Sequence, residues 1–197
     1  MPIGGIQLVT PSITGARGAV FKVTLLAYGY TFISKGTVHA YIPDLEHEAQ
    51  IYERLVSLQG VHIPVFLGAV DLQSLNRTYY YDFDVDIVHL CFLSWGGLHL
   101  EDVQHPDKYT LQPMAVEALS AIHQQGVAHR DARYENILFN PQTGRIMLID
   151  FERSQPVDTS WPAPAHLGPN KRQRAQDWKE QAKSIFLADL MRVQGAF

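Results

Sequence analysis

The sequence has one cysteine, Cys91, so no disulfide can form within the chain. That excludes a disulfide scaffold and predicts a reducing, intracellular setting, cytoplasmic or nuclear. Long apolar runs are missing too: none approaches the roughly 18 residues a membrane-spanning helix needs. Residues 1–11 lack a basic leader followed by an apolar core, so no signal peptide is predicted. Charged residues are only 18% of the chain, and 16 Lys and Arg against 20 Asp and Glu give a net charge of −4. This balance argues against a protein built mainly to hold nucleic acid. The local exception is the basic cluster Lys171, Arg172 and Arg174, read first as a solvated helix start, with a nuclear address or a nucleic-acid contact as the alternative. The nine histidines show no metal-ligand spacing such as H-E-x-x-H, which excludes the common zinc patterns.

What the sequence does have is the means to build a core. Its 197 residues are 46% hydrophobic and 11% aromatic, and a chain of this length buries roughly 70% of its unfolded surface without staples. The first half is strand-rich. Val20 to Tyr30 and Tyr30 to Val38 are dense in β-branched and aromatic residues and meet near Gly29, which predicts a hairpin. Leu45 to Leu58 reads as a helix, with Glu48, Ile51, Tyr52, Leu55 and Leu58 at spacings of three and four and Gly60 as its stop. Val65 to Val70 and Thr78 to Trp95 predict further strands, the latter bracketing the acidic turn Asp82 to Asp86. Gly96 and Gly97 break the pattern and mark a hinge. In the second half, a helix is predicted from Leu111 to Gln125, strands at Ile137 to Phe139 and Ile146 to Ile149, a Pro-rich irregular stretch from Ser154 to Pro169, and a helix from Gln176 to Val193.

The most specific stretch is His129-Arg130-Asp131-Ala132-Arg133-Tyr134-Glu135-Asn136, followed after a short hairpin by Asp150-Phe151-Glu152. It resembles the catalytic loop H-R-D-x-x-x-x-N and the metal motif D-F-G of the protein-kinase-like superfamily. Its wording, the acidic residue after Asp-Phe and the segment His47 to Gly68 are similar to small fungal kinase-like proteins. The short C-terminal part, without an Ala-Pro-Glu motif, resembles minimal atypical kinases such as the RIO type or the small kinase of the KEOPS complex. The resemblance implies an α+β, bilobal protein-kinase-like fold with a truncated C-lobe: an N-lobe over residues 1–95, a hinge near 92–97 and a mostly helical C-lobe over 98–197.

It also implies ATP and Mg²⁺ as cofactors and transfer of the γ-phosphate to a hydroxyl on a protein or small-molecule acceptor. Asp131 would be the base and Arg133 the cation beside the transferred phosphate; Asn136 and Asp150 would hold the metal. Lys35 lies at the interval from Gly18 that the family uses for its phosphate-binding lysine. Glu48, on the apolar stripe of its helix, needs a partner there because an unpaired buried carboxylate is costly; a Lys35–Glu48 pair supplies it. Gly15, Gly18 and Val20 resemble the end of the glycine-rich phosphate loop, with Ile13 at the place of its first glycine. Cys91, Phe92 and Ser94 fall where the family's adenine-facing strand runs, and Asp177 where a later helix braces the catalytic loop. Two departures, Glu152 in place of glycine and the eroded glycine loop, keep open the alternative of a pseudokinase, a nucleotide- or partner-binding module without catalysis.

Overall fold

The computed structural model describes residues 6–15, 18–81, 85–104, 108–157 and 169–197, and divides into two compact units. The first holds residues up to 60 together with 64–96; the second holds 61–63 and 97–197.

In the first unit, β1 (Ile6–Gly15), β2 (Gly18–Leu25), β3 (Tyr30–Thr37), α1 (Ile42–Arg54), β4 (Phe66–Asp71), β5 (Tyr79–Tyr81), β6 (Val85–Ile87) and β7 (His89–Ser94) follow in chain order. Five strands form one antiparallel sheet in the order β1-β2-β3-β7-β4, and β5 and β6 form a separate hairpin. The β2–β3 hairpin turns through residues 26–29, where Gly29 takes φ +63°. Strand alternation sorts β7 cleanly: His89, Cys91 and Leu93 are buried and the residues between them only half so. Helix α1 begins with Pro43 in its first turn and ends one turn short of the predicted Leu58, where a 3₁₀ turn, Val56–Leu58, takes over. Its stripe of Leu45, Glu48, Ile51 and Tyr52 is buried. Asp82 to Asp84, in the predicted acidic turn, lie outside the described residues.

The second unit contains β8 (Leu98–His99), α2 (Lys108–Gln124), β9 (Val127–Ala128), β10 (Ile137–Asn140), β11 (Arg145–Leu148), β12 (Gln155–Pro156) and α3 (Pro169–Gly195). A three-stranded sheet, β11-β10-β8, packs against α2, whose Ala115, Ala118, Leu119 and Ile122 are fully buried. The two-residue strands β9 and β12 pair with each other. Gly97 has a packing reason to be glycine: at φ +137°, a Cβ there would run into the Phe139 carbonyl. Helix α3 packs on α2 and β9 and starts earlier than predicted, although its first residues carry no described side chains. No helix among the described residues is long and apolar enough to cross a membrane.

Candidate functional site

Each unit brings its own group of chemistry-bearing residues together. In the first, three neighbouring strands set Val20, Lys35 and Cys91 directly across from one another, Val20 opposite Lys35 and Lys35 opposite Cys91. Lys35 Nζ donates to Glu48 Oε2 at 2.6 Å, and the Glu48 side chain is fully buried. The apolar stripe of α1 thus delivers a carboxylate to the sheet, and β3 delivers the ammonium that neutralises it. Burial foremost, and then the Glu48 carboxylate, push the Cys91 thiol up to about 12 against the opposing pull of Lys35. Cys91 is therefore a neutral, apolar core residue and not a nucleophile.

The pair has a testable share in stability. Lys35→Ala should destabilise the fold by about 3 kcal/mol, since it strips a buried carboxylate of its nearest cation. The double change Lys35→Met with Glu48→Leu should restore most of that loss. Thermal denaturation of the three proteins checks both statements.

Phe92 lies on the other face of β7 from Cys91, and as a residue of a central strand it pairs on both sides, with Ser34 and with Gly68. Ser94 is also committed: its N–H donates to the Val65 carbonyl at 2.8 Å, and its hydroxyl accepts from the Val65 N–H at 2.8 Å. Backbone beyond the ladder begins at Trp95, against whose ring Lys22 Nζ rests 5.1 Å from the centroid. At the start of the sheet, Gly15 pairs with Gly18, and a Cβ on Gly18 would run into the Gly36 carbonyl. A close approach of β2 and β3 thus requires this glycine. Arg17 lies outside the described residues, as do the side chains of Ile13 and of the cluster Lys171, Arg172 and Arg174.

The second unit centres on His129. Its buried ring sits 4.7 Å from the Phe151 ring, and its Nε2 lies 3.1 Å from the Ile149 carbonyl. Burial holds this imidazole below the usual histidine range, outweighing the nearby carboxylates of Asp189, Asp150 and Asp131. A neutral ring donates through Nε2 and keeps Nδ1 as an acceptor, which faces the Asp131 N–H at 3.4 Å. Asp131 follows Arg130, which is held at φ +64°. Asn136 Nδ2 donates to the Asp131 carbonyl at 2.9 Å and approaches Asp131 Oδ2 at 3.4 Å. The Asn136 carbonyl in turn accepts from the Ile149 N–H at 3.1 Å, which ties the 129–136 loop to the segment carrying Asp150. Arg133 Nε lies 3.5 Å from Asp131 Oδ2, and Arg153 Nη1 lies 3.7 Å from Asp131 Oδ1.

The brace of this loop is not Asp177, which is exposed, but Asp189, which is fully buried. Asp189 Oδ2 accepts from the His129 N–H at 2.7 Å and Oδ1 from the Arg130 N–H at 2.8 Å. His123 Nε2 at 3.3 Å and Arg192 Nη1 at 3.1 Å complete its surroundings. Burial alone would raise the Asp189 pKa, but the contacts from His123 and the two amides outweigh it and leave the carboxyl below its ordinary value. The sequence carried a signal for it: Ala182, Phe186, Asp189 and Val193 recur at spacings of four, three and four along α3, so a carboxylate stands in an apolar stripe.

Glu152 is tolerated for a conformational reason. Among the described residues, positive φ at non-glycine positions falls on Asn76, Arg130 and Asp150, the last at +69°, and not on Glu152. The special backbone geometry thus belongs to Asp150, one of the few residue types that accept it.

Comparison with known proteins agrees with this architecture. The protein kinase domain family profile matches residues 102–169. Over 161 residues, 82% of this chain, the sequence is 40% identical to the meiotic driver SPOK2 of Podospora anserina, of which the match covers 18%. Over 116 residues, 53% of the chain, it is 27% identical to the serine/threonine-protein kinase HAL5 of Candida glabrata, of which the match covers 13%. The chain therefore spans less than a fifth of the length of either relative. The fold is an α+β kinase-like fold, and the chain belongs to the protein-kinase-like superfamily.

Proposed function

We propose that the chain is an ATP- and Mg²⁺-dependent phosphotransferase that moves the γ-phosphate to a hydroxyl acceptor. The observation that carries this reading is the way Asp131 is held. Asp189 grips the two amides before it, His129 accepts from its own N–H, and Asn136 bonds to its carbonyl. A general base must be positioned before its basicity matters. Asp131 takes the proton of the acceptor hydroxyl as the oxygen–phosphorus bond forms and the bond to ADP breaks.

The chemistry of the donor set fits Mg²⁺, which prefers hard oxygen ligands. Because the Asn136 amide nitrogen is engaged by Asp131, its Oδ1 is the atom left for a cation; Asp150 adds a carboxylate. Bound Mg²⁺ neutralises phosphate charge. The Lys35–Glu48 pair would position the α- and β-phosphates, and Arg133 would face the charge on the transferred group. Val20 and Cys91 would line the base, whose polar edge would meet backbone at Trp95 and Gly96, beyond the Phe92 and Ser94 positions expected from sequence. Gly15 and Gly18 would close over the phosphates. We place the division of lobes near residue 96, with the nucleotide, an intracellular acceptor and no membrane as partners.

ATP at a hundred times its dissociation constant should stabilise the chain by about 2.7 kcal/mol, an increase of roughly 5–10 °C in melting temperature. Mg²⁺ should enlarge the shift, and Asp150→Ala should remove that increment. No shift under either condition would overturn the reading. A second reading, a binding module without transfer, is favoured by Glu152, which adds a carboxylate next to the metal motif; it predicts the same shifts with no turnover.

A further inference from the structure

Arg153 is not used by the phosphoryl-transfer set, yet its position is built. It stands in a tight turn, closed by the Ser154 N–H donating to the Phe151 carbonyl at 3.0 Å. Both flanks of that turn are buried and fixed to one residue: Phe151 packs on the His129 ring, and Ser154 Oγ donates to the His129 carbonyl at 3.1 Å. The turn is thereby fastened to the loop that carries Asp131. Its tip, Arg153, points an Nη1 at Asp131 Oδ1 from 3.7 Å, while Arg133 takes the Oδ2 side at 3.5 Å. A contact of 3.7 Å is well beyond a charge-assisted hydrogen bond, and the Arg153 side chain is 68% exposed. Such a pair adds little to stability. What remains is a guanidinium, with its fork of donors, held in solvent at the side of Asp131 opposite Arg133.

We propose that Arg153 is a specificity-determining residue that reads an anionic side chain next to the acceptor hydroxyl, so that the preferred acceptor is an acidic peptide segment. The inference rests on the phosphotransferase reading above for the meaning of the Asp131 side. The exposure of Arg153 favours an extended segment arriving from solvent over an enclosed small molecule, because small-ligand sites bury most of their ligand. Its weak hold on Asp131 allows an incoming carboxylate to take the guanidinium at hydrogen-bonding distance.

Fluorescein-labelled peptides with one serine flanked by Glu, Ala or Lys test this by anisotropy against the full chain, independently of turnover. The Glu peptide should bind about tenfold or more tightly than the Ala peptide at low salt, the range of a charge-assisted hydrogen bond. Added salt should narrow the gap. Arg153→Gln should abolish the preference, and Arg153→Glu should transfer it to the Lys peptide. Equal binding of the three peptides, no binding at all, or a Glu preference that survives Arg153→Gln would overturn the proposal. Phosphate transfer measured alongside distinguishes the two readings. Turnover of ATP without acidic preference removes the role of Arg153 alone, and acidic preference without any turnover removes the transferase reading alone.

Discussion

Asp131→Asn should lower phosphate transfer by about 10² to 10⁴, the usual contribution of a positioned general base, while the melting temperature stays within about 3 °C of the parent. The separation follows from what Asp131 touches. Its side chain lies beside Arg133 and Arg153, which are 57% and 68% exposed, and 3.4 Å from the Asn136 amide nitrogen, a distance an asparagine oxygen can keep; exposed ion pairs contribute about 0–1 kcal/mol. The bond from Asn136 runs to the Asp131 backbone carbonyl and survives the substitution. An asparagine therefore keeps the shape of the loop and loses only the capacity to take a proton. Rate assays beside thermal denaturation check both halves; an unchanged rate would assign the base to another group.

Asp189→Ala should do the reverse and strike stability first. Its carboxylate is fully buried and accepts from two backbone amides at 2.7 and 2.8 Å. Removing it leaves those N–H groups, the Arg192 guanidinium and the His123 ring without their common partner. Losing one member of such a buried network costs about 3–5 kcal/mol, or roughly 10 °C for a chain of this size. Activity should fall as well, because Arg130 at φ +64° is held by this bond and Asp131 is the next residue. Asp189→Asn, with one acceptor for two amides, should fall between. The pH dependence has a definite sign. A carboxyl whose folded pKa is depressed contributes fully above its unfolded value, about 4, and loses that contribution as pH falls through the folded one. The parent should therefore lose more stability below pH 4 than Asp189→Asn does.

The parts of this protein legible in its sequence are those where chemistry or burial fixes local spacing. The run from His129 to Asn136 is legible because the residues proposed as base and metal ligand, Asp131 and Asn136, lie five positions apart in one loop. Glu48 was legible because a carboxylate in an apolar helical stripe demands a cation, and β3 offers Lys35. Asp189 obeys the same logic, but its partners are backbone amides about 60 residues away, and no residue type announces them. Asp177, beside a tryptophan at the predicted helix start, is the more conspicuous carboxylate in the sequence. Strand β1 is hard to read in the sequence because Pro11 interrupts it, which a strand at the edge of the sheet tolerates. The two-residue strands β8, β9 and β12 have no periodicity to read; each exists only through a partner distant in sequence. The place of Phe92 and Ser94 depended on register, which the double pairing of β7 and the Val65 contacts with Ser94 make visible only in three dimensions.

The most direct test of phosphate transfer is to incubate the purified chain with ATP labelled on the γ-phosphate and follow the label, with and without Mg²⁺. A phosphotransferase should show Mg²⁺-dependent conversion to ADP, with the label on an acceptor hydroxyl or on water, and loss of that conversion in Asp131→Asn. Intact ATP in every condition, from a chain that Mg²⁺ and ATP nonetheless stabilise, would contradict the phosphotransferase reading and leave a nucleotide-binding module.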